Sequence, residues 1–333
     1  RIDNYFWLRE REDPEVISYL NAENKYLKDS MKHTEVLQNN LYKEITGRIV
    51  KDDSTVPYKK NGYYYYVRYE KGKEYPVHCR KKGSLDAKEE ILLDVNKMAE
   101  GYKYFNVRGP SVSKDNMLIA YGVDKVSRRK YTIYFKDLIS GKMFKNEIKN
   151  TTGSAVWAND NKTIFYIKKD KTLRSFKIFK HTLGSDPGKD KLIFHEKDPT
   201  FSVFAFKTKS GKYIMIGSMS TLTSEYRFVN ADSPDDKFKI IHPRERGIEY
   251  YVDHLSENFY IKTNYMAKNF RLVSTPVNKT EKENWQEIIP NRDDIFLSDF
   301  DLFKDYLVVN ERKYGLNRFR IIKWIDKSEY FME

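Results

Sequence analysis

Catalysis or metal binding in this chain would be sought first among its six histidines, His33, His78, His181, His195, His242 and His254. None stands at a metal-ligand spacing such as His-x-x-x-His, so each reads as a surface or strand residue. Asp253-His254 is a candidate dyad, but it precedes a turn at a position that other repeats fill with ordinary loop residues. A serine hydrolase needs an exposed nucleophile, usually on Gly-x-Ser-x-Gly. The chain has no such motif, and Gly217-Ser218-Met219 and Gly153-Ser154-Ala155 fall in or just before strand-like runs. The paired carboxylates Asp52-Asp53, Asp235-Asp236 and Asp293-Asp294 sit where turns are expected, and Asp favours turns for structural reasons. No phosphate-binding loop and no Gly-x-Gly-x-x-Gly is present. The single cysteine, Cys79, excludes an internal disulfide and a cysteine-built zinc site. The chain therefore carries no complete set of catalytic residues, and no cofactor or metal is expected.

Charge excludes less. A net +13 invites a nucleic-acid reading, but Lys and Arg are interleaved with 48 acidic residues. The basic runs Lys59-Lys60, Arg80-Lys81-Lys82, Arg128-Arg129-Lys130 and Lys168-Lys169 are all short, as on a solvated surface, and no nucleic-acid partner is expected. No apolar run approaches the roughly 20 residues of a membrane-spanning helix. The chain begins at Arg1 without a methionine, so an upstream segment is expected to have been removed. The cytoplasm is the expected compartment, with the periplasm as the alternative.

The elements that would position any site come from a repeated phrase. A polar linker ending at Ser154 leads into Ala155-Val-Trp-Ala, then Asn159-Asp-Asn161, then Lys162-Thr-Ile-Phe-Tyr-Ile167. Asn-Asp-Asn between apolar runs is hairpin chemistry, because Asn and Asp tolerate left-handed backbone angles. The same phrase recurs around Lys60-Asn61-Gly62, Lys114-Asp115-Asn116, Lys209-Ser210-Gly211, Ser256-Glu257-Asn258 and Lys304-Asp305. Anchors after each turn, Tyr64, Leu118, Ile164, Tyr213, Phe259 and Leu307, recur at about 45 to 55 residues. A second series, Tyr75, Tyr131, Phe176, Tyr226, Phe270 and Phe319, keeps nearly the same beat. With about four strand-like runs per period, the expected fold is an all-β propeller, one four-stranded blade per repeat. An evenly spaced sandwich is the competing architecture. The second blade is expected over 105–147, the third over 155–195, the fourth over 201–241, the fifth over 249–289, and the sixth from Ile295. That last blade lacks a clear fourth strand, and the chain looks cut at both ends.

Residues 1–52 read differently. Asp13-Pro14 starts a helix, with Val16, Leu20, Leu27 and Met31 on one stripe beside Ile17 and Asn24. Thr34 is expected to cap a second helix whose face carries Leu37, Leu41, Ile45 and Ile49. Two such faces need a partner that a propeller rim supplies poorly.

Certain stretches then resemble a known family: Arg1-Ile-Asp-Asn-Tyr-Phe-Trp-Leu-Arg9, Tyr19-Leu-Asn-Ala-Glu-Asn24, Val156-Trp-Ala-Asn-Asp160, Thr223-Ser-Glu-Tyr-Arg227, Glu249-Tyr-Tyr-Val-Asp-His254, Lys268-Asn-Phe270 and Leu307-Val-Val-Asn-Glu-Arg312. They are similar to the N-terminal part of the oligopeptidase B (protease II) branch of the prolyl oligopeptidase family, over essentially the whole chain. The resemblance implies a seven-bladed propeller, of which about six blades are present with the last incomplete, preceded by the helical segment. It implies a C-terminal α/β-hydrolase domain, beyond residue 333, holding the catalytic Ser, Asp and His. Residues 1–52 would pack on that domain, and 53–333 would be the truncated propeller. The implied substrates are short peptides cleaved after Lys or Arg, with the propeller as a size filter. Ser127-Arg128-Arg129 matches a stretch that can face the hydrolase domain, making Arg129, and secondarily Arg128, candidate interdomain ion-pair partners; an exposed arginine at the start of a strand is the plainer alternative. Because a cationic propeller repels basic peptides, the whole protein is expected to be nearer neutral than +13. The alternative function is a stand-alone propeller used as a protein-interaction scaffold.

Overall fold

A computed structural model of the chain describes residues 2–332. Two helices come first, α1 (Pro14–Met31) and α2 (Glu35–Arg48). The start of α1 is fixed as its sequence dictates: the Asp13 carboxylate accepts the Glu15 amide at 2.8 Å, and Pro14 fills the first turn. Thr34 does not cap α2. A 3₁₀ turn, Lys32–Thr34, joins the helices, and in that nearly helical backbone the Thr34 hydroxyl turns back to donate to the Met31 carbonyl. The Gln38 amide then donates to Thr34 at 2.7 Å. Of the apolar stripe on α1 only Val16 is buried, and none of α2 is.

The remainder is five antiparallel sheets that make six blades in chain order, the second and third blades being fused into one seven-stranded sheet. The first is Tyr58–Lys60, Tyr63–Tyr69, Val77–Lys82 and Glu89–Asp94, with Asp53–Ser54 also paired to Tyr63–Tyr69. Its short inner strand went unread in the sequence, because it is three residues long and begins directly after Pro57. The second blade begins Asn106–Val112, Leu118–Asp124 and Tyr131–Asp137, and the third ends Thr163–Lys169, Ser175–Thr182 and Lys191–His195. Between them no polar linker exists. Ile148–Trp157 is one ten-residue strand, paired through Ile148 and Thr151 to the second blade and through Ala155, Val156 and Trp157 to the third. Thr151 holds the passage, its hydroxyl donating to the Tyr131 carbonyl and accepting from the Gly153 amide, both at 3.0 Å. The strand passes so close to its neighbour that a Cβ on Gly122 would lie 2.3 Å from the Gly153 Cα.

The fourth blade is Ser202–Lys207, Tyr213–Met219, Ser224–Asn230 and Lys239–His242. The fifth is Tyr250–Leu255, Asn258–Thr263, Arg271–Pro276 and Gln286–Ile289. The sixth is Phe296–Leu302, Tyr306–Lys313, Leu316–Lys323 and, in correction of the expectation that it stops short, a three-residue fourth strand, Glu329–Phe331. A tight turn makes that strand possible: Asp326 accepts the Ser328 amide, and Lys327 takes a positive φ.

All six first-series anchors fall in the second strand of their blades. In the second series Tyr131, Phe176, Tyr226 and Phe319 lie in third strands, while Tyr75 and Phe270 lie in the turns just before them. Five apolar clusters fill the five seams between consecutive blades. In the seam between blades three and four, for example, Phe165, Ile167 and Ile178 face Val203, Ile214 and Val229. A sandwich would place one core between two sheets; a separate core at every seam is the propeller arrangement.

Candidate functional site

Alternation of strand direction gives the ring two unlike faces. Turns from first to second strands gather on one, here the turn face. Turns from second to third strands, and the links between blades, gather on the other, the link face. Asp53 pairs with Tyr69, at the end of the second strand of blade one, so the helical segment joins on the link face. First strands line a channel of about 780 Å³, with Ser111, Val156, Phe206, Tyr251 and Asp299 on its wall. That size suits a small ligand or an extended peptide and excludes a folded protein.

Arg128 and Arg129 lie on the link face, in the turn from Leu118–Asp124 to Tyr131–Asp137. The buried Asp124 carboxylate builds this turn, accepting the amides of Val126, Arg128 and Arg129 at 2.9, 3.0 and 2.7 Å. Ser127 and Arg129 take positive φ angles of 57° and 54°. Both guanidinium groups are exposed, and among the described residues neither has a carboxylate within ion-pair distance. Lys169 donates to the Arg129 carbonyl at 2.6 Å. Burial first, then Arg108 and Arg129, hold the Lys169 ammonium below its ordinary pKa. Asp124 offsets part of this charge while its oxygens accept the turn's backbone amides, so this part of the link face is a turn-fixed patch of net positive charge.

The six histidines are dispersed and held in structural roles. His254 does not form a dyad with Asp253, because neighbours on a strand point to opposite faces. Its Nδ1 meets the Ser210 hydroxyl at 2.9 Å, while Asp253 accepts the Lys209 amide at 2.9 Å. Burial pushes the His254 pKa down to about 4. His181 stacks on Phe135 and meets Asp190, which also accepts from Tyr166. His242 meets Glu245, His195 packs its edge on Phe176, and His33 meets the Ser30 carbonyl. His78 is half-buried, and burial lowers its pKa. Ser218 is buried and donates to Glu196, so it is no nucleophile. Burial first pushes the Cys79 thiol up to about 12, so it stays un-ionised. The carboxylate pairs serve the fold: Asp53 pairs in the first sheet, Asp235 meets Lys180, and Asp294 meets Lys313. Among the described residues no group of three His, Cys, Asp or Glu side chains is arranged to hold a metal ion. No helix among them is long and apolar enough to cross a membrane.

Two buried ion clusters lay beyond sequence reasoning. Arg244 reaches Glu196 at 2.7 Å and Glu225 at 3.2 Å, over the ring of Phe201. In blade six, Glu311 is wholly buried beneath Arg292, Arg318 and Arg320. Glu196 and Arg244 are far apart in sequence, while Glu311 and Arg318 are cross-strand partners in one hairpin whose burial the sequence does not announce.

Comparison with known proteins agrees with this geometry. The family described as "Prolyl oligopeptidase, N-terminal beta-propeller domain" matches residues 1–332. Dipeptidyl aminopeptidase BI of Pseudoxanthomonas mexicana is 39% identical over 99% of this chain and 48% of its own length. Protease 2 of Moraxella lacunata is 33% identical over 97% of this chain and 47% of its own length. Among solved structures, oligopeptidase B from Leishmania major superposes with a TM-score of 0.92 at 30% identity, over 100% of this chain and 49% of that one. Oligopeptidase B from Trypanosoma brucei, in a closed form with covalently bound antipain, gives a TM-score of 0.88 at 29% identity, over 99% of this chain and 47% of that one. The chain thus spans about half the length of the relatives it matches. The match over nearly every residue, on a fold with a core at each blade seam, makes this chain a member of the prolyl oligopeptidase family, within its N-terminal β-propeller domain.

Proposed function

We propose that this chain is the gating and size-filtering portion of a serine oligopeptidase that hydrolyses short peptides after Lys or Arg, with its Ser, Asp and His on a same-chain α/β-hydrolase domain beyond residue 333. The observation that carries the reading is the unpartnered link face. The helical segment joins there with its apolar stripes uncovered except at Val16, and the Arg128-Arg129 turn presents two exposed guanidinium groups without an ion-pair partner among the described residues. Residues 1–52 are assigned to the hydrolase domain's surface, and 53–333 to the filter. Arg129, and secondarily Arg128, are assigned ion pairs with acidic residues of that domain. Among the described residues no site supplies a nucleophile, and the chain alone is expected to hydrolyse nothing. The proposed compartment is the cytoplasm, with the periplasm as alternative.

The test is amidase activity on short fluorogenic peptides ending in Arg or Lys, comparing the complete reading frame with this chain. Activity in the first and none in the second is expected. A reading frame that holds no Gly-x-Ser-x-Gly hydrolase would leave the stand-alone interaction scaffold as the better reading. One observation favours a second specificity: the relative at 39% identity is named a dipeptidyl aminopeptidase. Release of dipeptides from unblocked substrates, with N-blocked peptides inert, would select that alternative.

A further inference from the structure

The channel's mouth on the turn face is chemically unlike the rest of the ring. Lys60, Lys114, Lys207, Lys209 and Lys212 converge there from the first, second and fourth blades. Two of these amines are matched one to one, Lys209 with Asp301 at 2.8 Å and Lys212 with Glu257 at 3.2 Å. The other three are not. Lys114 meets Asp232 loosely, at 3.7 Å, across from blade two to blade four. Lys207 donates to a neutral amide oxygen, that of Asn159, at 2.9 Å. Among the described residues Lys60 and Lys207 have no carboxylate within ion-pair distance. Asp232 is further engaged by the Asn159 amide at 2.8 Å. Asp160 also faces Lys207, and Asp253 and Asp299 line the same cavity. Asp160, however, accepts the amides of Lys162 and Thr163, and Asp253 that of Lys209. Among the described residues Asp232 is the one carboxylate within ion-pair reach of any of the three amines, at a rim where low-dielectric walls strengthen their field.

We propose that Lys60, Lys114 and Lys207 form a binding site for a small polyanion, a phosphate or polycarboxylate, in which Asp232 is the internal counter-ion that the ligand displaces. The turns that carry the lysines are already fixed to one another. Asn116 donates to the Asn61 carbonyl at 3.0 Å, the Asp115 amide donates to Asn161 at 3.1 Å, and Asn159 donates to the Gly211 carbonyl at 3.1 Å. Little ordering is left for binding to demand, and charge-assisted bonds from three ammonium groups suit an oxyanion. The electrostatics at the site point the same way: burial first, then Lys60 and Lys114, pull the Lys207 pKa down to about 8 against the opposing pull of Asp232 and Asp160. An anion seated among the three relieves that repulsion.

The site goes beyond the proposed peptidase reading and does not depend on it. Calorimetric titration of the whole chain with inorganic pyrophosphate in one arm and citrate in the other tests it, and the arms tell a phosphate ligand from a carboxylate one. Saturable binding of at least one is expected, weakened about tenfold or more by Lys207→Gln and by Lys60→Gln. Lys209→Gln, at a lysine already paired, is expected to leave it within about twofold, and Asp232→Asn to tighten it. The Lys207 amine, followed by its acetylation rate against pH, is expected to titrate at higher pH once the ligand is bound. Should Lys207→Gln fail to fold, the exposed positions Lys60 and Asp232 decide the matter. Absence of saturable heat with both anions at about 10 mM, equal losses in Lys209→Gln and Lys60→Gln, or weaker binding in Asp232→Asn would each overturn the site.

Discussion

Residues 14–48 and the blades obey the same hydrophobic periodicity to opposite ends. On α2, Leu37, Leu41 and Ile45 stand 58%, 45% and 61% exposed, although their spacing marks a face meant for burial. In the blades, Phe165, Ile164 and Phe259 are at 0%. An amphipathic pattern shows that a face needs covering; only the fold shows whether the same stretch of chain covers it. Each blade finds its cover in the next repeat, whereas within residues 2–332 the helices bury Val16 alone.

The contrast can be broken most forcefully at a seam. Phe165→Ala, between blades three and four, is expected to cost about 3–5 kcal/mol in urea unfolding, through lost contacts and the cavity left behind. Glu311→Gln comes next, at about 3 kcal/mol, because it leaves three guanidinium groups around a neutral buried amide. Burial alone would raise the Glu311 pKa, but its bonds to Arg292 and its attraction to Arg320 outweigh that and hold it below the ordinary glutamate value. A lowered folded pKa means stability that is present above the unfolded value and is lost as pH falls through the folded one. Parent and Glu311→Gln are therefore expected to converge in acid, as read by thermal unfolding below about pH 4.

A smaller effect belongs to His254, whose folded pKa lies at about 4. Between the ordinary histidine value of about 6.5 and that point, the unfolded chain takes up a proton that the folded chain refuses. Stability is expected to fall as pH drops through that window, and His254→Gln should flatten the slope. Smallest of all, Leu41→Ala on α2 is expected to change the stability of this chain by less than about 0.5 kcal/mol. The same change in the complete reading frame should cost about 1.5–3 kcal/mol if the proposed hydrolase domain buries that face. Equal small effects in both would remove that domain as the cover.

Legibility followed locality. The second-strand anchors could be read because each turn and the strand after it lie within about a dozen residues, so Asn161 and Ile164 announce themselves together. The start of α1 was readable for the same reason, Asp13 and Pro14 being adjacent. Thr34 misled because a hydroxyl that can cap a helix can equally bond back to the turn before it, and only the backbone path decides. Lys149–Ser154 resembled a linker, since polar β-branched residues suit an exposed edge as well as a loop; its pairing partners lie in two different blades. The Arg244 cluster and the lysine mouth were illegible in principle. Arg244 lies 48 residues from Glu196, and Lys60 meets Lys207 only when the ring has formed.

The unbroken passage of Ile148–Trp157 through two blades has a mechanical meaning. Blades two and three share a main chain hydrogen-bonded on both flanks, with the Gly122–Gly153 contact leaving no slack, so they move as a single plate. The other seams are joined by side-chain cores and isolated hydrogen bonds, such as Asn116 to the Asn61 carbonyl and the Asn159 amide to the Ala231 carbonyl, with no strand ladder shared among the described residues to tear. Breathing of the ring is thereby directed to those seams. Amides of the shared strand should be the last in the molecule to exchange with deuterium.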